Sequence, residues 1–181
     1  ASPLFGIVCL PEISLITGRI MGAGALIVKR DDSGRLIRPD QFIPYYERER
    51  VISQLDLHVF QTFCSDRLEW SKQGVKPRIS SNFSRMTLMA SDIVQQLAQI
   101  CRDYDVPTQQ LTIEVTESIS KLEAGQLLTL MRLLLGEGFS ISLDDFGSQY
   151  PNLSILTMLE FNEIKFDKPL GEELGSNIKS R

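Results

Sequence analysis

Leu111-Thr112-Ile113-Glu114-Val115 and Phe139-Ser140-Ile141-Ser142-Leu143-Asp144-Asp145 are two short strand-like runs, with a helical stretch from about Leu122 to Leu135 between them. Their reading decides the fold. The leucine-rich helix stops at Gly136-Glu137-Gly138, where glycine permits the left-handed turn that ends a helix. A strand, a helix and a second strand with connections this short predict parallel neighbours with the helix crossing one face. Both strands are rich in apolar residues, as the buried strands of parallel sheets tend to be.

The same pattern extends outward along the chain. Ala25 to Val28, Arg78 to Asn82 and Phe161 to Phe166 read as further strands, and Phe5 to Leu10 as another. Val51, Leu55, Val59 and Phe63 recur every four residues, with Ile52 and Phe60 widening the stripe into a helix face. A second helix carries Ile93, Leu97, Ile100, Cys101 and Tyr104, with Ser91 placed to cap it. The class is α/β. A doubly wound sheet and a (β/α)8 barrel both fit, although neither a G-x-G-x-x-G fingerprint nor a P-loop is present.

Composition narrows the chemistry. The 181 residues carry 19 basic and 23 acidic side chains, a net charge of -4, and 43% apolar content. That suits one folded domain over residues 1–181 and excludes global disorder. It also argues against nucleic-acid binding through a broad basic face. No apolar run is long enough for a membrane-spanning segment, and no secretory leader is visible. Cys9, Cys64 and Cys101 are odd in number and scattered, which fits a reducing compartment. The single histidine, His58, argues against a Ser-His-Asp triad or a histidine-rich zinc site. Chemistry here rests on carboxylates, amides and lysine.

Those groups cluster where α/β active sites form, at the carboxyl ends of strands. Arg78 to Ser81 runs into Asn82, and Leu111 to Ile113 into Glu114 with Glu117 beyond. Phe139 to Leu143 delivers Asp144 and Asp145, and Phe161 to Ile164 delivers Lys165 and then Asp167. The set offers hard oxygens suited to magnesium, manganese or calcium, with a lysine to balance charge. Adjacent strand residues face opposite ways, so Asp144 and Asp145 share a site only if the strand ends or bulges there.

With these residues in view, the chain resembles the EAL domains, bacterial hydrolases of cyclic di-GMP. The resemblance runs from about Phe5 to Pro169. It is carried by Gly34 to Glu47 (GRLIRPDQFIPYYE), Ser81-Asn82-Phe83-Ser84, Ile113-Glu114-Val115-Thr116-Glu117-Ser118, Leu143-Asp144-Asp145-Phe146-Gly147 and Ile164-Lys165-Phe166-Asp167. It implies a modified TIM-like (β/α)8 barrel and a two-metal hydrolysis of the cyclic dinucleotide to pGpG in the cytoplasm. By that analogy Asn82, Glu114, Asp144 and Asp145 are metal ligands. Lys165 stands beside the attacking water, Glu117 supports the metal-site loop, and Leu26 and Asp167 line the ligand site. The ions implied are Mg2+ or Mn2+, with Ca2+ as an inhibitory substitute.

The chain departs from that family in ways that matter chemically. Gly24-Ala25-Leu26 stands where the family has Glu-Ala-Leu, so one carboxylate ligand is missing. Val28 replaces an arginine that grips phosphate, and Leu10-Pro11 replaces a Gln-Pro pair. A charged hydrogen bond is worth about 1.5–3 kcal/mol, so the loss of that arginine weakens ligand binding roughly tenfold to a hundredfold. Lys29 has the wrong parity to compensate, and Arg30 lies about 6.6 Å further along the strand. Gln149 and Pro151 alter the loop after the paired aspartates. About six of the family's eight strands are present, where a whole barrel takes about 250 residues. These departures predict a degenerate domain that acts as a sensor or a protein-interaction module, with cyclic di-GMP binding weakened or lost. An open barrel also predicts a homodimer or a partner that completes it. An active phosphodiesterase is the alternative, resting on the retained Asn82, Glu114, Asp144, Asp145 and Lys165.

Overall fold

A computed structural model describes residues 5–74, 77–116, 119, 124–147, 156, 157, 159–169 and 172. The strands are β1 (Phe5–Ile13), β2 (Ile20–Arg30), β3 (Leu36–Ile37), β4 (Arg78–Asn82), β5 (Leu111–Thr116), β6 (Ser140–Phe146) and β7 (Glu163–Phe166). The helices are α1 (Pro39–Arg48), α2 (Ile52–Lys72), α3 (Arg85–Leu88), α4 (Ile93–Asp103) and α5 (Ala124–Gly136). They form one open sheet in the order β1-β2-β4-β5-β6-β7, with β3 hydrogen-bonded to β2. Parallel pairing runs from β2 through β4, β5 and β6 to β7. This is the TIM-like α/β architecture expected, with β1 and β7 as the sheet edges among the described residues.

Three local expectations differ from what forms. β1 is antiparallel to β2, because residues 14–19 between them are too few for a parallel crossover. The α4 helix starts after Asp92, whose side chain makes no capping bond, so Ser91 is not the cap. The apolar run of the first strand predicts Cys9 packed inside, and it is exposed because that strand lies at the sheet edge.

The main core sits between the sheet and its helices. Leu111, Ile113, Ile141 and Leu143 line the outer sheet face, and Phe60, Phe63, Leu97 and Leu134 come down onto it from α2, α4 and α5. Their helical and strand periods bring these apolar stripes face to face. Trp70 packs beside Phe63 at 6.3 Å between ring centroids. A second cluster of Phe42, Ile52 and Leu55 joins α1 and α2 to β2 and is closed by Phe5 and Tyr46. In the leucine-rich α5, Leu127, Leu130, Met131 and Leu134 are buried while Leu133 is exposed. No helix among the described residues is long and apolar enough to cross a membrane.

Candidate functional site

Alternation along the strands builds the inner sheet face in rows. Asn82, Glu114, Ser142 and Glu163 are register partners across β4, β5, β6 and β7, so their side chains share one face. One row lower stand Gly24, Ser80, Thr112 and Ser140. Asp144 pairs with Thr116 in the row above Glu114.

The paired aspartates lie in an irregular stretch of β6. The β6–β7 register shifts between Leu143 and Phe146, and Asp145 takes a left-handed backbone with φ of 55°. That bulge lets two consecutive acids depart from strict alternation. Asp144 is half-buried and its backbone neighbour Asp145 is exposed. Burial pushes the Asp144 carboxyl above its usual pKa, and the charges of Glu114 and Asp145 add to the rise.

Lys165 is the centre of the inner face. Its ammonium donates to Glu114, which is 3% exposed, and to Glu12 Oε1 at 3.1 Å. Ser80 Oγ also donates to Glu12 Oε1 at 3.1 Å. Burial opposes the charged form of Lys165. The hydrogen bonds and charges of Glu114 and Glu12 prevail and hold its pKa at about 12. Ser142 Oγ, in the same row as Glu114, is fully buried with no hydrogen-bond partner among the described residues.

The tip of β4 is fixed from behind. Phe83 packs on Phe60 with ring centroids 5.6 Å apart, and its amide donates to the Glu114 carbonyl at 3.2 Å. The next turn is held by Asp56 of α2, which accepts from the Ser84 amide at 2.9 Å and the Thr87 hydroxyl at 2.5 Å. Burial raises the Asp56 pKa, and those two bonds oppose the rise. Beside this tip a cavity of about 770 Å³ opens against Leu26, Glu47, Asn82, Arg85 and Thr116. Asp167 sits beyond β7 with its amide bonded to the Phe146 carbonyl at 3.1 Å. Glu117 lies outside the described residues, as do Gln149 and Pro151.

The sequence reading missed Glu12. It sits in an apolar edge strand opposite Gly22, and its partner Lys165 is far along the chain. The available signal is Gly22-Ala23-Gly24 on β2, which leaves the inner face without side chains where Glu12 lies. A Cβ at Gly22 would stand 2.9 Å from Glu12 Oε2, and one at Gly24 would stand 3.9 Å from Glu12 Oε1. The resemblance places a phosphate-gripping arginine at position 28, and neither that residue nor the two basic residues after it on β2 offer a free guanidinium or ammonium to the inner face. Val28 is buried, Lys29 lies 6.0 Å from the Phe5 ring, and Arg30 bonds the Gly34 carbonyl at 3.1 Å.

The donor types suit a hard divalent cation, since carboxylates and amides supply oxygen. Their arrangement does not. Glu12 and Glu114 are both engaged with Lys165, and Gly24 contributes no oxygen. Among the described residues, no three acidic, histidine or cysteine groups lie close enough to share one ion.

Similarity to known proteins agrees with this frame. The EAL domain family model matches residues 7–181. Cyclic di-GMP phosphodiesterase PA2567 of Pseudomonas aeruginosa is 26% identical over 177 residues, covering 98% of this chain and 30% of that protein. Probable cyclic di-GMP phosphodiesterase PdeB of Escherichia coli is 30% identical over 166 residues, 91% of this chain and 32% of that protein. The chain therefore spans about a third of the length of these relatives. The solved PaMucR phosphodiesterase in complex with c-di-GMP superposes with a TM-score of 0.87 at 26% identity, over 98% of this chain and 72% of that one. The EAL domain of Mycobacterium smegmatis DcpA gives 0.76 at 27% identity, over 97% and 71%. With the family match spanning nearly the whole length, this chain belongs to the EAL domain family.

Proposed function

We propose that the chain is a cyclic di-GMP signalling domain that holds its ligand weakly and does not turn it over efficiently, serving as a sensor or an interaction module. The supporting observation is the inner face of β2. Gly24, Leu26 and Val28 place no carboxylate and no phosphate-gripping donor there, and neither Lys29 nor Arg30 turns back to supply one. Relatives named as cyclic di-GMP phosphodiesterases, and a neighbour solved with c-di-GMP, supply the ligand class. Leu26, Asn82 and Asp167 are the residues we assign to the ligand's surroundings. In a hydrolysing relative, Mg2+ or Mn2+ would sit on the counterparts of Asn82, Glu114, Asp144 and Asp145, with Ca2+ blocking turnover.

Titration calorimetry with cyclic di-GMP tests the reading. Each lost charged contact lowers affinity about tenfold to a hundredfold. Binding should therefore be weaker by that factor than for the PaMucR EAL domain measured alongside. Affinity equal to that domain would overturn the reading.

Retained acids and Lys165 on one face favour a second reading, an active phosphodiesterase, and turnover decides between the two. The exposed edges also support a covering partner, with Val8, Leu10 and Ile13 on β1 and Ile164 and Phe166 on β7 open to solvent. We assign that role to a second copy of the chain. Sedimentation should show a dimer, and a stable monomer at all concentrations would remove the proposal.

A further inference from the structure

Glu12 occupies a trough made by two missing side chains. Gly22 and Gly24 both belong to the inner face of β2, one residue apart in the alternation. Glu12 starts level with Gly22, and its carboxylate extends toward Gly24 and Ser80. A side chain at position 22 would collide with the Glu12 carboxylate and with the Arg78 carbonyl, each 2.9 Å from the Cβ it would add. Negative charge thus reaches the inner face from β1, at the place where β2 offers none.

What this charge meets is an ammonium. Lys165 donates to Glu12 and to Glu114 together, with Ser80 Oγ 3.5 Å away. An acid as deeply buried as Glu114 requires a partner of opposite charge, and here the chain supplies it. Adding a divalent ion to the same acids would set two cations side by side in a half-buried space, where their repulsion is stronger than in water and is doubled by the ion's second charge.

We propose that the Lys165 ammonium, clasped between Glu12 and Glu114, is the resident cation of this site, with Glu12 restoring from β1 the charge that Gly24 withholds from β2. The inference deepens the reading of the chain as a cyclic di-GMP domain and rests on it for the ligand. Its consequence is ligand binding that needs no divalent ion.

The test measures free Mn2+ by electron paramagnetic resonance during titration of the full chain, beside cyclic di-GMP binding in EDTA and in Mn2+. The unmodified chain should leave the Mn2+ signal nearly undiminished. Lys165→Met, which strips the acids of their ammonium, should bind Mn2+ at least about tenfold more tightly. Adding Glu12→Gln to that variant should abolish the gain. Cyclic di-GMP affinity should be the same in EDTA and in Mn2+. Tight Mn2+ binding by the unmodified chain overturns the proposal, and this arm stands even if Lys165→Met does not fold. A folded Lys165→Met that binds no better than the parent overturns it as well. Absence of cyclic di-GMP binding in both conditions would defeat the functional reading instead, while the Mn2+ arms still judge the clasp.

Discussion

Incubated with cyclic di-GMP and either Mg2+ or Mn2+, the unmodified chain is expected to release pGpG at least about a thousandfold more slowly than the PaMucR EAL domain assayed alongside. Two separate losses combine in that figure. On the proposed reading, Val28 stands where the resemblance places a phosphate-gripping arginine, and the absent charged hydrogen bond is worth about tenfold to a hundredfold. On the same reading, Gly24 supplies no carboxylate where the resemblance places a metal ligand, in chemistry that would need cations to lower the pKa of a water and to clamp the attacking and leaving oxygens. The engagement of Lys165 with Glu12 and Glu114 works in the same direction, because the remaining acid is already neutralised.

Gly24→Glu alone should recover little turnover. Its new side chain enters space that Glu12 and Ser80 already border, 3.9 Å and 3.6 Å from the added Cβ. Val28 and Leu10 would be unchanged. Chromatographic separation of pGpG from the substrate reads both results. Turnover by the parent within tenfold of the active domain would mean that water or another side chain replaces the lost ligand, and the degenerate reading would fail.

The second large effect concerns the scaffold behind the site. Phe60→Ala should destabilise the fold by about 4 kcal/mol, within the range found when a buried phenylalanine is truncated. Phe60 is 1% exposed and packs on Phe83, the residue after Asn82. Denaturant unfolding followed by circular dichroism gives the stability change. A cost below about 1 kcal/mol would show that the ring is not part of a close-packed core. Because Phe83 also bonds the Glu114 carbonyl through its amide, the same variant should loosen the β4 tip.

Much of this architecture was legible in the sequence because strand and helix periods are local. β4 was expected at Arg78 to Asn82 and forms over those residues. β5 and β6 form where the apolar runs lie, each shifted or lengthened by a few residues. Adjacent acids can depart from strict alternation only at a strand end or a bulge, and the left-handed backbone at Asp145 provides the bulge. The antiparallel β1 was not foreseen, since strand direction follows from connection length and not from apolar content. The α4 cap was misplaced by one residue because Ser91 and Asp92 are both good capping types.

The site was legible only in part. Asn82, Glu114, Asp144 and Lys165 stand at strand ends, where position along the chain predicts position in the fold. Glu12 gave no such cue. It is an acid near the end of an apolar edge strand, and its meaning depends on two glycines on the next strand and a lysine on the last. Only the fold joins these four residues.

The most direct single measurement is equilibrium dialysis of the chain against cyclic di-GMP in Mn2+, followed by chromatography of the retained nucleotide. A domain that holds its ligand without turning it over should retain intact cyclic di-GMP with no pGpG on either side of the membrane. Accumulation of pGpG, or no retained nucleotide at all, would contradict the account.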